Sequence, residues 1–170
     1  MIPEREKTCC FTGHRPEKLP WGNDETDPRC IVLKKKIQDA VEIAYADGKR
    51  HFICGMARGC DFYFAEAVIA LREEKGDVTL EAAIPCAMQS ASWSAVHRTR
   101  WERLVAACDT KTVLQEGYTP YSMIRRNRYM VDHSSLVIAA FDGSDGGTRR
   151  TLEYALKQKV EFLDLNQTKD

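Results

Sequence analysis

The chain has 170 residues, of which 44% are hydrophobic and 29% charged, with 25 basic and 25 acidic side chains. These values are typical of a soluble globular protein, and we expect a single domain over residues 1–170. The formal net charge of zero argues against a protein that holds nucleic acid or an anionic membrane with its whole surface. The neutral net charge does not exclude a local basic pocket.

No segment approaches the ~18 apolar residues of a membrane helix, and the polar N-terminus does not resemble a signal peptide. The seven cysteines are an odd number without regular spacing or a C-x-x-C pair. Most of them lie in apolar runs, where cysteine packs as a small hydrophobe. Free thiols at this density indicate a reducing compartment, so we expect a cytoplasmic protein without a membrane partner.

Short apolar runs alternate with amphipathic stretches along the chain. The apolar runs predict strands over 7–12, 51–54, 78–84, 112–114, 136–141 and 160–165. Helical spacing predicts helices over 27–48, 61–76, 92–107, 122–132 and 151–159. We expect Asp27, Asp61 and Ser92 to cap the first three helices.

This alternation predicts an α/β protein, specifically a three-layer α/β/α Rossmann-like domain with a mainly parallel sheet. The run 136–141 is apolar throughout, as a strand buried on both faces requires. In such sheets ligands bind beyond the carboxyl ends of the strands, at a switch point in the strand order. The segments that follow the predicted strands are therefore the places to search for a site.

The first strand is followed by Gly13, His14 and Arg15. Glycine lets a backbone approach a ligand closely, and histidine and arginine offer donors suited to a phosphate or a carboxylate. The alternative interpretation is a surface turn with incidental charges.

The second strand is followed by GMARGCD at 55–61, which opens a helix. The free N–H groups of a helix N-terminus favour an anion. Candidate ligand-binding residues in this turn are Gly55, Met56, Arg58, Gly59 and Asp61. The pattern G-x-G-x-x-G is absent, so there is no NAD-type fingerprint. The alternative is a tight turn capped by aspartate.

The fifth strand is followed by DGSDGGT at 142–148, which opens another helix. Gly146, Gly147 and Thr148 can present consecutive N–H groups and a hydroxyl to a phosphate, with Asp142 beside them. A Walker A loop is excluded because its lysine is missing, and the histidines form no zinc motif. We expect neither a metal nor another cofactor. The alternative is a flexible loop with an ordinary helix cap.

The helix over 122–132 carries the main basic cluster, with Arg125, Arg126 and Arg128. It is either a clamp for a phosphate chain or nucleic acid, or a solvated face on which Asp132 pairs with Arg128. Tyr118 lies in the preceding loop, where an aromatic ring can stack on a base or simply pack.

Four segments together carry a family resemblance: CCFTGHRPEKLPWG at 9–22, GMARGCD at 55–61, IPCAMQ at 84–89, and RRNRYMVDHSSLVIAAFDG at 125–143 with the following GGT. They resemble the YpsA-like family of the SLOG superfamily of Rossmann-like domains, in order and over nearly the whole chain. The resemblance implies a nucleotide pocket at the strand ends. The superfamily includes LOG-type phosphoribohydrolases and the DNA-processing protein A family, and self-association is an expectation by analogy with it.

The sequence departs from the pattern of the LOG enzymes, P-G-G-x-G-T-x-x-E, whose glutamate is catalytic. Asp145 stands where proline would be, and Glu153 lies five residues beyond Thr148 instead of three. A carboxylate at that spacing points to a different face of the helix. Cys54 replaces the serine that opens the corresponding S-G-x-A-x-G-x-D stretch of the DNA-processing family.

Three functions follow, and we favour the first, binding or sensing of a nucleotide or a nucleotide-derived small molecule. Thr148 and nearby N–H groups would hold a phosphate, which Arg15 and Arg58 would neutralise. Three further residues would contact the sugar or base: His14, Tyr118 and Arg126.

The second function is cleavage of an N-glycosidic bond in a nucleotide, which needs a carboxylate at the ribose. Glu66 is the leading candidate for that catalytic group, because it lies in the second turn of a helix that starts at the strand ends; Asp61, Asp142 and Glu153 are alternatives. The third is single-stranded nucleic-acid binding through the basic cluster, which the neutral charge balance does not favour.

Overall fold

The computed structural model describes residues 2–167, in which strands and helices alternate. The strands are β1 (Thr8–Gly13), β2 (His51–Cys54), β3 (Thr79–Ile84), β4 (Thr110–Val113), β5 (Leu136–Ala140) and β6 (Glu161–Asp164). The longer helices are α1 (Pro28–Ala46), α2 (Cys60–Lys75), α3 (Ala95–Ala107), α4 (Ser122–Asp132) and α5 (Gly147–Lys157).

The six strands form one sheet in which every neighbouring pair is parallel, in the order β4-β3-β2-β1-β5-β6. This confirms the predicted α/β Rossmann-like fold. From β1 to β4, each strand is added to the same edge of the sheet, and the chain then crosses back so that β5 pairs with the other side of β1. In that pair Gly13 lies opposite Ala140. The strand order therefore reverses between β1 and β5, the position where such sheets bind ligands.

Side chains alternate between the two faces of each strand, and each face has its own set of helices. Phe11 points to the face covered by α1, α2 and α3, where its ring stacks on Phe64 at a centroid distance of 4.8 Å. Cys10 points to the opposite face and packs with Leu152 of α5 and Met130 of α4. Both faces of the central strands are thus buried, which explains their apolar runs.

All seven cysteines are free thiols, and six of them are buried. Burial is the main cause that raises the pKa of Cys10 to about 12, and it also raises the pKa of Cys54. Burial therefore favours the protonated form of Cys10 and Cys54, whereas the thiolate is the reactive form. The prediction that most of them pack in the core is confirmed.

The first predicted helix cap is confirmed, and the second is wrong. Asp27 accepts a hydrogen bond from the N–H of Arg29 at 2.8 Å. In contrast, α2 begins one residue before Asp61, with Gly59 at the N-cap position. The Asp61 carboxylate accepts a hydrogen bond from the N–H of Ala57 at 3.0 Å and so braces the turn before the helix.

The starts of two other helices differ from the prediction. Ser92 lies outside α3, whose N-cap residue is Ser94 and makes no side-chain cap hydrogen bond. The helix predicted from residue 151 begins at Gly147. Its first turn contains neither a capping side chain nor an apolar residue. The apolar pattern of the sequence therefore predicts this helix only from its second turn onward.

A buried polar network fixes α4 on the sheet. The Oε1 atom of Glu81, in β3, lies 2.8 Å from Nε2 of His51. The Oε2 atom accepts hydrogen bonds from the hydroxyls of Tyr129 at 2.6 Å and Thr112 at 3.0 Å. Burial would raise the pKa of Glu81, but these hydrogen bonds outweigh burial and lower that pKa below its ordinary value. The network therefore stabilises the ionised carboxylate and anchors the helix at Tyr129.

We expect this carboxylate to make stability depend on pH. Its pKa is lower in the folded than in the unfolded chain, so its contribution is present above the unfolded pKa of roughly 4.3 and is lost as the pH falls through the folded pKa. Urea unfolding measured between about pH 5 and pH 3 should show a smaller loss of stability in Glu81→Gln than in the wild type. Glu161→Gln, at an exposed carboxylate of β6, is the control. An unchanged pH dependence in Glu81→Gln would contradict the network's role.

Candidate functional site

A cleft of about 380 Å³ opens at the carboxyl ends of the strands, at the switch point of the sheet. Its walls come from β1 and the turn after it, the turn before α2, one face of α4, and the start of α5. Among the predicted site residues, it gathers Gly13, His14, Arg15, Asp61, Arg126, Gly146, Gly147 and Thr148. The two strand-end turns that flank β1 and β5 thus meet in one cavity.

The start of α5 forms one wall of the cleft. Its N-cap residue, Gly146, makes no side-chain cap hydrogen bond. A Cβ added at Gly147 would meet nothing within 4 Å, so the backbone there is open to the cavity. Thr148 is buried, and its hydroxyl lies 3.2 Å from that of Thr12 at the end of β1. An uncapped helix start with open N–H groups and a hydroxyl favours an anion.

The guanidinium of Arg126 forms the inner wall of the cleft, with only 4% of the residue exposed. It donates hydrogen bonds to the carbonyl of Gly55 and, at 2.8 Å, to Oδ1 of Asn127. It forms no ion pair with any carboxylate in residues 2–167. Burial lowers the pKa of Arg126, while the charge of Asp61 opposes that change. A buried cation of this kind is costly unless a negative charge compensates it.

Two glycines of the turn before α2 make room for protein atoms. A Cβ added at Gly55 would lie 2.5 Å from Nη1 of Arg126, so the missing side chain admits the guanidinium. At Gly59, with φ at 86°, a Cβ would lie 2.9 Å from the carbonyl oxygen of His14. Neither glycine lines the cleft, although both shape it.

Asp61 is buried at the base of the cleft. Burial raises its pKa, and the nearby Arg126 and the hydrogen bond from Ala57 partly oppose that effect. Its Oδ2 atom is used by the Ala57 N–H, whereas Oδ1 makes no hydrogen bond within the described chain. The free oxygen gives the cleft one hydrogen-bond acceptor.

Charged side chains form the rim of the cleft. Arg15 is exposed, and its side chain makes no hydrogen bond or ion pair with residues 2–167. Lys18 reaches across the opening and donates to the carbonyl of Asp145. Arg58 does not line the cleft, because its guanidinium pairs with Glu17 at 2.6 Å.

His14 links the turn after β1 to the turn after β5. Its Nε2 atom lies 3.0 Å from Oδ1 of Asp142 and 3.1 Å from the N–H of the same residue. Hydrogen bonds from Ser144 and then from His14 hold the pKa of Asp142 well below its usual range. His14 itself lines the cleft, whereas Asp142 does not.

Three predicted site residues lie elsewhere. Glu66 does not line the cleft; its carboxylate accepts hydrogen bonds from Arg100 of α3, which also pairs with Glu25. Tyr118 is exposed in the loop before α4. Met56 is fully buried in the core beneath the turn.

Several lining residues had no clear signal in the sequence: Thr12, Lys18, Asn127, Met123 and Met130. Thr12 could have been found, because it ends a strand and its side chain alternates away from the Phe11 face. Lys18 had no local signal, since its partner Asp145 is 127 residues away along the chain.

Residues 2–167 lack two structural features. No three His, Cys, Asp or Glu side chains there are grouped so that they could hold a metal ion. In the same range, no helix combines the length and the apolar character needed to cross a bilayer.

Residues 9–167 match the family described as the YspA SLOG family. The chain belongs to this family. A relative from Bacillus subtilis (strain 168), named "Uncharacterized SPbeta prophage-derived protein YoqJ", is 30% identical in an alignment that covers 77% of this chain and 84% of the relative.

This SLOG family member also resembles solved structures. DNA processing protein A (DprA) from Streptococcus pneumoniae has a TM-score of 0.61 at 16% identity, over 94% of this chain and 50% of that one. DNA processing protein A from Helicobacter pylori, described with a single-stranded DNA binding mode, has a TM-score of 0.60 at 15% identity, over 92% of this chain and 64% of that one. The chain therefore spans half to two thirds of these proteins, and the likeness shows the shared fold.

Replacing Gly55 with alanine should disturb the buried guanidinium. The added Cβ would overlap Nη1 of Arg126, the far end of a long side chain that can shift toward the cleft, so we expect about 1 kcal/mol, the lower end of the usual cost of overpacking. Urea unfolding of Gly55→Ala should show this loss. The matched control is Gly117→Ala, where an added Cβ meets nothing within 4 Å and the change should stay within about 0.5 kcal/mol. Equal stability of the two variants would refute the described packing.

Proposed function

We propose that this SLOG family member binds a nucleotide through its phosphate, in the cleft between the ends of β1 and β5. The observation that carries the proposal is the buried Arg126 guanidinium, which has no carboxylate partner among residues 2–167 and shares its cavity with the uncapped start of α5. Two independent elements thus present positive charge to one small space.

A phosphate matches both elements. A guanidinium is a planar fork that can bind two phosphate oxygens at once. The N–H groups at Gly147 and Thr148, with the threonine hydroxyl, are the donors that helix starts offer to phosphates. The anion would also place negative charge against the Arg126 guanidinium, which pairs with no carboxylate within residues 2–167.

The rest of a nucleotide has suitable contacts nearby. Oδ1 of Asp61 is a free acceptor, which suits a ribose hydroxyl because hydroxyls donate to carboxylates. Arg15 and Lys18 at the rim add positive charge. We assign His14 to the sugar or base, since it lines the same cavity. No part of this scheme requires a metal.

Cleavage of an N-glycosidic bond is the second candidate function. The carboxylates that line the cleft are Glu17 and Asp61, and Glu17 is paired with Arg58. Asp61 combines burial, a raised pKa and a free oxygen, which are properties of catalytic carboxylates. If the protein is an enzyme, the structure favours Asp61 over Glu66, whose carboxylate is held by Arg100.

We expect AMP to stabilise the protein more than adenosine does, because the phosphate supplies the main contact. At about 100 times its dissociation constant a ligand stabilises by about 2.7 kcal/mol, which a thermal-shift measurement resolves. Arg126→Gln should weaken AMP binding roughly 10–100-fold, the loss of a charge-assisted hydrogen bond. Arg125→Gln, at the exposed neighbour, should not.

Two results would contradict the proposal. One is equal stabilisation by AMP and adenosine, a comparison that needs only the wild-type protein. The other is equal AMP affinity in the two arginine variants, provided that both are folded. Mass spectrometry of the AMP mixture separates the candidate functions: intact AMP supports binding, whereas free adenine that disappears in Asp61→Asn supports the glycosidase.

A further inference from the structure

A second cavity, of about 550 Å³, lies between α4 and α5; we refer to it as the α4–α5 groove. Its lining includes Met123, Ile124, Arg128, Arg150, Tyr154 and Lys157. The groove is continuous with the cleft, because Met123, Asn127 and Gly147 line both cavities. A ligand anchored by a phosphate in the cleft can therefore extend past Gly147 into the groove.

The groove carries an uncompensated positive charge. Arg128, Arg150 and Lys157 form no ion pair or hydrogen bond to a carboxylate within residues 2–167. The carboxylate that lines the groove, Glu153, pairs instead with Arg149 at 3.4 Å. Three cations along one channel attract a ligand that has negative charge beyond the phosphate in the cleft.

The alternative reading of the basic helix, in which Asp132 pairs with Arg128, is not what the structure shows. Asp132 accepts the hydroxyl of Tyr154 at 2.7 Å, and the guanidinium of Arg128 lies over the Tyr154 ring at 5.2 Å. The arginine is thus oriented by an aromatic ring and keeps its donors for another partner.

The groove also has apolar surface. Ile124 is 38% exposed, and Met123 and Tyr154 are half-buried. An aromatic ring can pack on such side chains while the cations at the edge contact a phosphate. The volume is within the roughly 300–1,000 Å³ range of small-molecule sites.

We propose that the α4–α5 groove holds the second nucleotide unit of a ligand whose first phosphate lies in the cleft. The ligand then contains two linked nucleotides, with one base on the apolar surface and the second phosphate at the cations. This inference rests on the proposed function. Two sources supply that chemistry: a free dinucleotide, or the end of a single strand.

The test compares three probes on the full chain by calorimetry at fixed salt: AMP, the 5′-phosphorylated dinucleotide pApA, and a longer 5′-phosphorylated oligoadenylate. The wild type should bind pApA at least about tenfold more tightly than AMP, because each phosphate contact adds binding energy. The double variant Arg150→Gln/Lys157→Gln should lose that gain while AMP affinity changes less than about twofold. The control is Arg103→Gln/Lys111→Gln, two exposed cations outside both cavities.

The oligoadenylate distinguishes the sources. Affinity equal to that of pApA indicates a free dinucleotide, whereas tighter binding with a steeper salt dependence indicates a strand end; both support the groove. The inference is overturned if pApA binds no more tightly than AMP, or if the double variant weakens both probes equally. Binding of pApA that Arg126→Gln does not affect would overturn the proposed function together with the inference that rests on it, whereas the two results above overturn the inference alone. Absence of binding by every probe would overturn both.

Discussion

The burial of one guanidinium, that of Arg126, is the constraint on which the rest of the site depends. Within residues 2–167 it is held by a carbonyl, an amide oxygen and the sulfur of Met123 and by no carboxylate, so its charge is left for the cavity that it faces. Gly55 leaves space for it, and Glu81 anchors the helix that carries it. A protein that only needed to fill this space would be as stable or more stable with an apolar side chain there.

The order of the strands places a second anion-binding element, the start of α5, beside this charge. Because the chain crosses back after β4, β5 lies beside β1, and the turn after β1 meets the start of α5. The contact between Thr12 and Thr148 joins residues 136 positions apart, and His14 and Lys18 tie the same two turns together. One crossover connection thus brings a buried cation and an uncapped helix start to the same edge of the sheet.

The sequence was sufficient for the fold, because apolar runs are local signals, and its glycine turns led to several residues that line the cleft. It could not show that protein atoms fill the space beside Gly55 and Gly59, since a missing side chain looks the same in the sequence whether protein or ligand fills the space. Helical periodicity could have predicted that Arg126 is buried while Arg125 and Arg128 are exposed. Arg126 lies four residues from both Ser122 and Met130, which are buried on the same face of the helix. Nothing local shows that Glu66 pairs with a residue of α3.

The most direct test of the central claim is a crystal structure of the protein grown with AMP. We expect phosphate oxygens within hydrogen-bonding distance of the Arg126 guanidinium and of the Gly147 and Thr148 N–H groups. A nucleotide bound elsewhere, or one whose phosphate points to solvent while the guanidinium stays unpaired, would contradict it.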